Sequence, residues 1–194
     1  MNIKAILFYL GLFIFPISGL SFLNILYSTY FDYFLSIESY TITFFFSLLL
    51  GSLCCFYGRN SIKKINFYDQ LILILIVYLF TAFLISLPYY LSNYQITFVD
   101  SIFESFSGIT STGFSIFENI KHLDQSLLIW RSTSQWFGGL YFLISILFLI
   151  DIYDENFKKI LTNFISLDIY ETIKQSAKIV LVYTSITFVL FLIY

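Results

Sequence analysis

The chain has 194 residues, of which 59% are apolar and only 11% are charged, and its mean hydropathy is +0.86. A soluble domain carries about 25% charged residues and could not cover so much apolar surface, while a net charge of −2 excludes a polybasic chain that binds nucleic acid. The composition therefore predicts an all-α integral membrane protein. At about 20 residues a span, the chain has room for five or six transmembrane helices in the lipid bilayer.

Five apolar runs predict the transmembrane helices, at residues 5–27, 40–57, 70–91, 126–152 and 177–194. The first run follows Lys4 as a signal peptide would, but it is too long for a cleaved segment and lacks a small-x-small cleavage site, which favours a retained span. Cys54 and Cys55 lie next to each other in the second run. Because their spacing suits neither a metal site nor a disulfide framework, we expect them to be buried small apolar residues.

The distribution of charge predicts the orientation of these helices. Eight of the ten basic residues lie on one side of the predicted membrane: Lys4, Arg59, Lys63, Lys64, Lys158, Lys159, Lys174 and Lys178. The opposite loops are acidic, and Lys121 is their one clearly exposed base. Because cytoplasmic loops carry an excess of Lys and Arg, we expect a cytoplasmic N-terminus and an outward-facing segment 97–123.

Segment 97–123 is too short and too polar to span the membrane. Thr97 or Asp100 can cap a short helix that ends at Gly108, with an apolar stripe formed by Phe98, Ile102, Phe103 and Phe106. Residues 109–114 then read ITSTGF, a run of small hydroxyl residues with a glycine. Irregular backbone at membrane depth is tolerated where protein buries it or where it lines a watery cavity.

This pattern is typical of a re-entrant pore loop, in which successive carbonyl oxygens replace the hydration shell of a monovalent cation. Glycine permits the backbone angles that align such carbonyls, and the negative end of the helix dipole would point at the ion. An ordinary extracellular loop with a Thr-Gly turn has a similar composition. The residue types alone leave both interpretations open.

Three elements in order resemble the TrkH/KtrB potassium-uptake family. Residues 103–113, FESFSGITSTG, are similar to the family's first pore loop, FEAxSGxTTTG. Residues 127–139 contain LLIWRS and QWFGG, and resemble LLLWRSxxQWxGG. Further on, Glu171-Thr172, Ala177-Lys178 and Tyr183 are similar to the ETAK element that opens the next repeat.

The resemblance implies four non-identical helix–pore loop–helix repeats around one pore, preceded in the TrkH branch by two extra helices. Residues 1–64 would be these two helices, and residues 65–155 the first repeat, with its pore helix at about 97–108. Residues 156–194 would be a cytoplasmic linker and the first helix of an incomplete second repeat. The chain thus covers well under half of the family's architecture.

The resemblance assigns the potassium filter to Thr110, Ser111, Thr112, Gly113 and Phe114. Two of these positions depart from the family pattern, which often has Thr in place of Ser111 and a small residue in place of Phe114. The first departure is mild, since a backbone carbonyl would coordinate the ion. The second predicts a side chain that narrows or braces the outer mouth.

Several further residues would support the pore. We expect Arg131 to brace the loop through backbone carbonyls or an acid such as Glu104, in preference to reaching the membrane interface. Glu104 could raise the cation concentration at the mouth, form a salt bridge or be solvated. Gly108 would end the pore helix, and Gly138 and Gly139 would permit close helix packing. Trp130 and Trp136 would be interface and packing aromatics, His122 an inert loop residue, and Asp151 a solvated boundary residue.

No constellation of catalytic residues appears, so the sequence does not predict an enzyme or a covalently bound cofactor. The expected function is potassium uptake across a prokaryotic cytoplasmic membrane, with K⁺ as the transported ion. Because one loop cannot surround an ion, the partners would be the remaining repeats or further copies of the chain. The family also implies a homodimer of the full-length form and a cytosolic nucleotide-binding regulatory subunit on the basic loops. The alternative is a non-conducting truncated fragment or an assembly partner of a transporter.

Overall fold

The computed structural model describes residues 2–33, 37–60, 67–120, 123–150, 174 and 177–186. Within them it contains no strand, five named α-helices and a further helical segment at residues 177–186. These helices are α1 (Ile3–Tyr30), α2 (Ile37–Gly58), α3 (Phe67–Tyr90), α4 (Phe98–Ile109) and α5 (Gln125–Ile150). The predicted all-α class is confirmed.

Three of the described helices are long and apolar enough to cross a membrane, namely α1, α2 and residues Tyr68–Tyr90 of α3. Each begins and ends within about three residues of a predicted apolar run. Helix α5 has 26 residues and is about 39 Å long at 1.5 Å per residue, and residues Ala177–Ile186 form a shorter apolar helix. Asp151, His122 and the rest of the fifth predicted span lie outside the described residues.

The chain divides into two compact units, Met1–Gly138 and Gly139–Tyr194. The first contains α1 to α4 and the start of α5, and therefore the whole of segment 97–123 that is described. The second contains the remainder of α5 and the helical residues 177–186. The division into two extra helices, a first repeat and an incomplete second repeat stays a prediction.

Helices α1 and α2 pack closely because glycines stand at their contacts. A Cβ atom on Gly11 would come within 2.6 Å of Cys55 Sγ and 2.7 Å of the Gly51 carbonyl oxygen, and one on Gly58 within 2.5 Å of the Lys4 carbonyl oxygen. The Cys55 thiol donates to the Phe8 carbonyl at 3.6 Å. The prediction that Cys54 and Cys55 are buried is wrong: both are partly exposed, because α2 lies at the edge of the bundle.

Trp130 joins α5 to α3 at the core of the bundle. Its side chain is fully buried, and its Nε1–H donates to the Ile85 carbonyl at 3.1 Å. Pro88 lies one turn further along α3 and supplies no N–H to the helix. Trp130 is therefore a packing residue of the interior and not an aromatic of the membrane interface.

Candidate functional site: the 110–114 loop

Helix α4 leads directly into the 110–114 loop. The helix begins after Thr97, whose side chain accepts a hydrogen bond from the Asp100 amide at 3.2 Å. Of the two predicted caps, Thr97 and Asp100, the structure therefore has Thr97. It ends at Ile109, one residue beyond the predicted end at Gly108, with Thr110 as its C-terminal cap. The Thr110 amide still donates to the Phe106 carbonyl at 2.9 Å.

The two faces of α4 are used in an unexpected way. The polar and small residues Ser101, Glu104, Ser105, Ser107 and Gly108 are buried. The predicted apolar stripe does share one face, but Phe98 and Phe103 are about half exposed and Ile102 and Phe106 are intermediate. In the first unit α4 therefore packs through its polar face and leaves its apolar face uncovered.

The amides of the 110–114 loop fold back onto the end of α4. The Ser111 amide donates to the Gly108 carbonyl at 2.9 Å, and the amides of Thr112 and Gly113 donate to the Ser107 carbonyl at 3.1 and 3.4 Å. All three donors thus point into the C-terminal end of the helix. They satisfy two of the carbonyls that a helix leaves unpaired at that end.

The same three peptide units present their carbonyls in the opposite direction. In a trans peptide unit the N–H of one residue is antiparallel to the C=O of the residue before it, and the described residues contain no cis peptide bond. The carbonyls of Thr110, Ser111 and Thr112 therefore point away from α4. Among the described residues none donates a hydrogen bond to these oxygens, and all three residues are exposed.

Two residues in the left-handed region make this geometry possible. Gly113 has φ of +78° and Ser111 has φ of +55°. A left-handed conformation costs a residue with a side chain about 1–2 kcal/mol, and the Ser111 hydroxyl donates to the Gln135 carbonyl at 2.9 Å, which offsets part of that cost. A β-branched residue fits this region poorly, so Ser at 111 is easier to accommodate than the family's Thr.

The Phe114 end of the loop is bonded to Arg131. The Arg131 Nη2 group donates to the carbonyls of Gly113 and Phe114 at 3.1 and 3.3 Å, and the Phe114 carbonyl also accepts from the Ser107 hydroxyl at 2.5 Å. Of the five residues expected in the filter, two thus have carbonyls engaged inside the protein. The Phe114 side chain itself is 69% exposed.

Arg131 in turn forms an ion pair with Glu104. The Arg131 Nε group lies 2.6 Å from Glu104 Oε1, and Glu104 is 1% exposed. The Glu104 carboxylate also accepts from the Ile116 amide at 3.0 Å and the Ser115 hydroxyl at 3.2 Å. Of the three interpretations left open for Glu104, the structure has the salt bridge, and the buried side chain is not solvated.

Glycines bring α5 against the end of α4. A Cβ on Gly138 would overlap the Ile109 carbonyl oxygen and come within 2.7 Å of the Gly108 carbonyl oxygen, and one on Gly108 would come within 2.7 Å of Ser134 Oγ. Backbone atoms cannot move aside as a flexible side chain can. The close approach at Gly138 therefore requires glycine, while Gly139 begins the second unit and its packing role stays a prediction.

Comparison with known proteins decides the family. A family model described as a cation transport protein, TrkH, matches residues 36–194. The chain belongs to the TrkH family. This match confirms the resemblance that was based on the pore-loop, WRS and ETAK elements.

Individual relatives are similar over part of their length. The chain is 31% identical to the potassium uptake protein TrkH of Vibrio parahaemolyticus over 99 residues, which are 50% of this chain and 20% of that protein. It is 29% identical to Escherichia coli TrkH over 104 residues, 53% of this chain and 22% of that protein. It is 33% identical to an uncharacterized cation transporter of Methanocaldococcus jannaschii over 82 residues, 42% of this chain and 17% of that protein. The matches span about a fifth of these relatives.

The fold is that of a solved transporter. The crystal structure of the potassium transporter TrkH from Vibrio parahaemolyticus superimposes with a TM-score of 0.72 at 26% identity, over 93% of this chain and 37% of that one. The protein is thus an all-helical membrane protein of a prokaryotic transporter family.

Proposed function

We propose that the chain contributes one repeat to a potassium-conducting pore, with the 110–114 loop as one quarter of its selectivity filter. The observation that carries this proposal is the set of three carbonyls at Thr110, Ser111 and Thr112, which accept no hydrogen bond from any described residue and share one exposed side of the loop. Membership of the TrkH family supports potassium as the ion, since the relatives are named potassium uptake proteins.

An ion at this loop would exchange hydration water for backbone carbonyls. The C-terminal end of α4, which carries the negative end of the helix dipole, lies directly beneath the three carbonyls. Arg131 binds the carbonyls of Gly113 and Phe114 and fixes the outer end of the loop. Because the buried Glu104 carboxylate pairs with Arg131 at 2.6 Å, the guanidinium can do so without presenting an uncompensated positive charge to a cation.

The rest of the pore has to come from elsewhere, because a single loop faces an ion from one side only. We propose that the remaining repeats of the transporter, or further copies of this chain, supply the other sides. Residues 110–114 would then face outward, with a cytoplasmic N-terminus in the cytoplasmic membrane. A homodimer and a cytosolic nucleotide-binding regulatory subunit bound to the basic loops complete the proposed assembly, whose activity is transport and not enzymatic catalysis.

A complementation experiment tests the pore role. The chain is expressed in cells that lack potassium uptake, alone and together with a second chain that carries repeats two to four of a TrkH-type transporter. We expect growth at low potassium from the pair, and loss of that growth with Gly113→Ala. A Cβ at Gly113 has space, with Gln135 Nε2 the nearest atom at 3.8 Å, so this substitution acts through the left-handed backbone and not through a clash.

Gly19→Ala is the matched control, because no atom lies within 4 Å of the added Cβ and α1 keeps its helical backbone there. It should grow as the parent does. Growth of the pair that is insensitive to Gly113→Ala would remove this loop from the filter. If neither arrangement grows although both chains reach the membrane, the alternative of a non-conducting assembly partner is favoured instead.

A further inference from the structure

A buried stripe of α1 changes character half-way along the helix. Leu10, Ile14 and Ile17 form its first half at helical spacing, and each is 3% exposed or less. The same stripe continues through Ser21, Asn24 and Ser28, which are 0%, 1% and 0% exposed. The second half of α1 thus presents hydroxyl and amide groups to the interior where the first half presents apolar side chains.

These polar groups lack partners for their oxygen atoms. Ser21 Oγ, Asn24 Oδ1 and Ser28 Oγ are buried and have no hydrogen bond among the described residues. The Asn24 amide nitrogen donates to the Leu20 carbonyl at 3.1 Å, which holds the side chain so that Oδ1 is directed away from its own helix turn. Buried oxygens without donors are rare in folded proteins because their desolvation is costly.

The three oxygens are close enough to share small ligands. Residues three or four apart on a helix have Cβ atoms about 5–6 Å apart, so one small molecule can contact Asn24 and Ser21, and a second can contact Asn24 and Ser28.

A proline of α3 lies as far along its helix as Ser21 lies along α1. The Asn2 amide bonds to Asp69 Oδ2 at 3.1 Å, which places the starts of α1 and α3 side by side. Ser21 and Pro88 each lie nineteen residues beyond that contact.

Pro88 also leaves one carbonyl of α3 without its helical donor. Because proline has no N–H, this is the Leu84 carbonyl, one turn before Pro88. The three unpaired groups of α1 are neutral: two hydroxyls and one amide oxygen. They lie along a single helix and do not surround an ion as the ring of carbonyls in a cation filter does, whereas water can donate to two acceptors at once and commonly occupies such positions.

We propose that Ser21, Asn24 and Ser28 of α1 form a binding site for at least two ordered water molecules inside the helix bundle. Each water donates to Asn24 Oδ1 or to a neighbouring serine hydroxyl. The second half of α1 is then a hydrated element of the interior and not a purely apolar anchor.

Two measurements test the site on the full chain in detergent micelles. Thermal unfolding compares Ser21→Ala and Ser28→Ala with Thr29→Ala. Thr29 has an exposed hydroxyl on the same helix, which donates to the Leu26 carbonyl and bonds to no other described residue. If water occupies the site, each buried variant loses a hydrogen bond and its Tm falls by about 2–4 °C, while the control does not move. If the site is dry, removing an unpaired oxygen raises Tm. A rise or an unchanged Tm overturns the proposal.

The second measurement separates water from a bound cation. The Tm of the parent and of Asn24→Leu is measured in KCl, NaCl and choline chloride. We expect both chains to respond identically to the choice of cation. A cation-dependent shift that Asn24→Leu abolishes would show that an ion and not water occupies the site, and would overturn the proposal. A structure at a resolution that shows solvent should contain density within about 3.2 Å of Asn24 Oδ1.

Discussion

The Arg131–Glu104 ion pair is a strong point for perturbation, because both side chains are buried and each is the other's charge partner. Arg131→Met removes the guanidinium but keeps most of its volume. It leaves the Glu104 carboxylate unpaired inside the protein and deprives the Gly113 and Phe114 carbonyls of a donor. Breaking a buried pair from one side costs about 3–5 kcal/mol, which at about 2–4 °C per kcal/mol lowers Tm by about 6–20 °C.

The double variant tests whether the two side chains stabilise each other. Glu104→Gln alone leaves the buried guanidinium without its carboxylate partner, although the Gln oxygen can still accept from the Ile116 amide. With Arg131→Met and Glu104→Gln together no buried charge is left unpaired. We therefore expect the loss in the double variant to be smaller than the sum of the single losses by about 2–3 kcal/mol.

The assay is thermal unfolding of the four chains in detergent micelles, with Lys174→Met as control. Lys174 is an exposed basic residue, so its substitution should change stability by no more than about 0.5 kcal/mol. Losses that simply add in the double variant would refute the reasoning, because additivity means that the two side chains do not stabilise each other.

Three more predictions concern the same region. Gly138→Ala forces a Cβ into the Ile109 carbonyl and should cost about 1–3 kcal/mol in thermal unfolding; stability equal to the parent's would contradict the close approach of α4 and α5. Ser111→Gly removes both the strain of a left-handed serine and its bond to α5, so it should change stability by less than about 1 kcal/mol. Ser111→Val should lower stability by about 1–2 kcal/mol or more. A valine variant more stable than the glycine variant would contradict the φ of +55°. Trp130→Phe removes the donor to the Ile85 carbonyl and should cost about 1–3 kcal/mol, with a matching rise in amide exchange in the turn of α3 around Pro88; unchanged exchange there would count against that bond.

The sequence predicts the helices and the turn chemistry well, because both depend on neighbouring residues. Apolar runs of about 20 residues place α1, α2 and α3 to within a few residues, and Thr97 is visible as a cap from its position before an amphipathic segment. The left-handed conformation of Gly113 follows from the residue type. That of Ser111 does not, because its anchor on Gln135 is twenty-four residues away.

Contacts between distant residues are what the sequence leaves open. Nothing local separates a buried, paired Glu104 from a solvated one, and only the fold brings it to Arg131. The hydroxyl and amide groups of α1 are missed for a different reason: an average over an apolar run hides three polar residues that share one face. Likewise the outward orientation of the α4 stripe depends on which neighbours are present to cover it.

The backbone bonds between the 110–114 loop and the end of α4 have a consequence for how such a site can vary. In the proposed filter, the surface offered to an ion would consist of main-chain oxygens, whose direction is set by the amides that bond to the end of α4. Exchange between serine and threonine at positions 110 and 112 would therefore leave that surface unchanged, whereas a change that twists one peptide unit, as at the left-handed position 111, would alter it at once. Substitutions at these positions should therefore be limited by the φ angles that each residue type can adopt more than by its side-chain chemistry. Gain or loss of a glycine or proline should alter the carbonyl directions more than loss of a hydroxyl does.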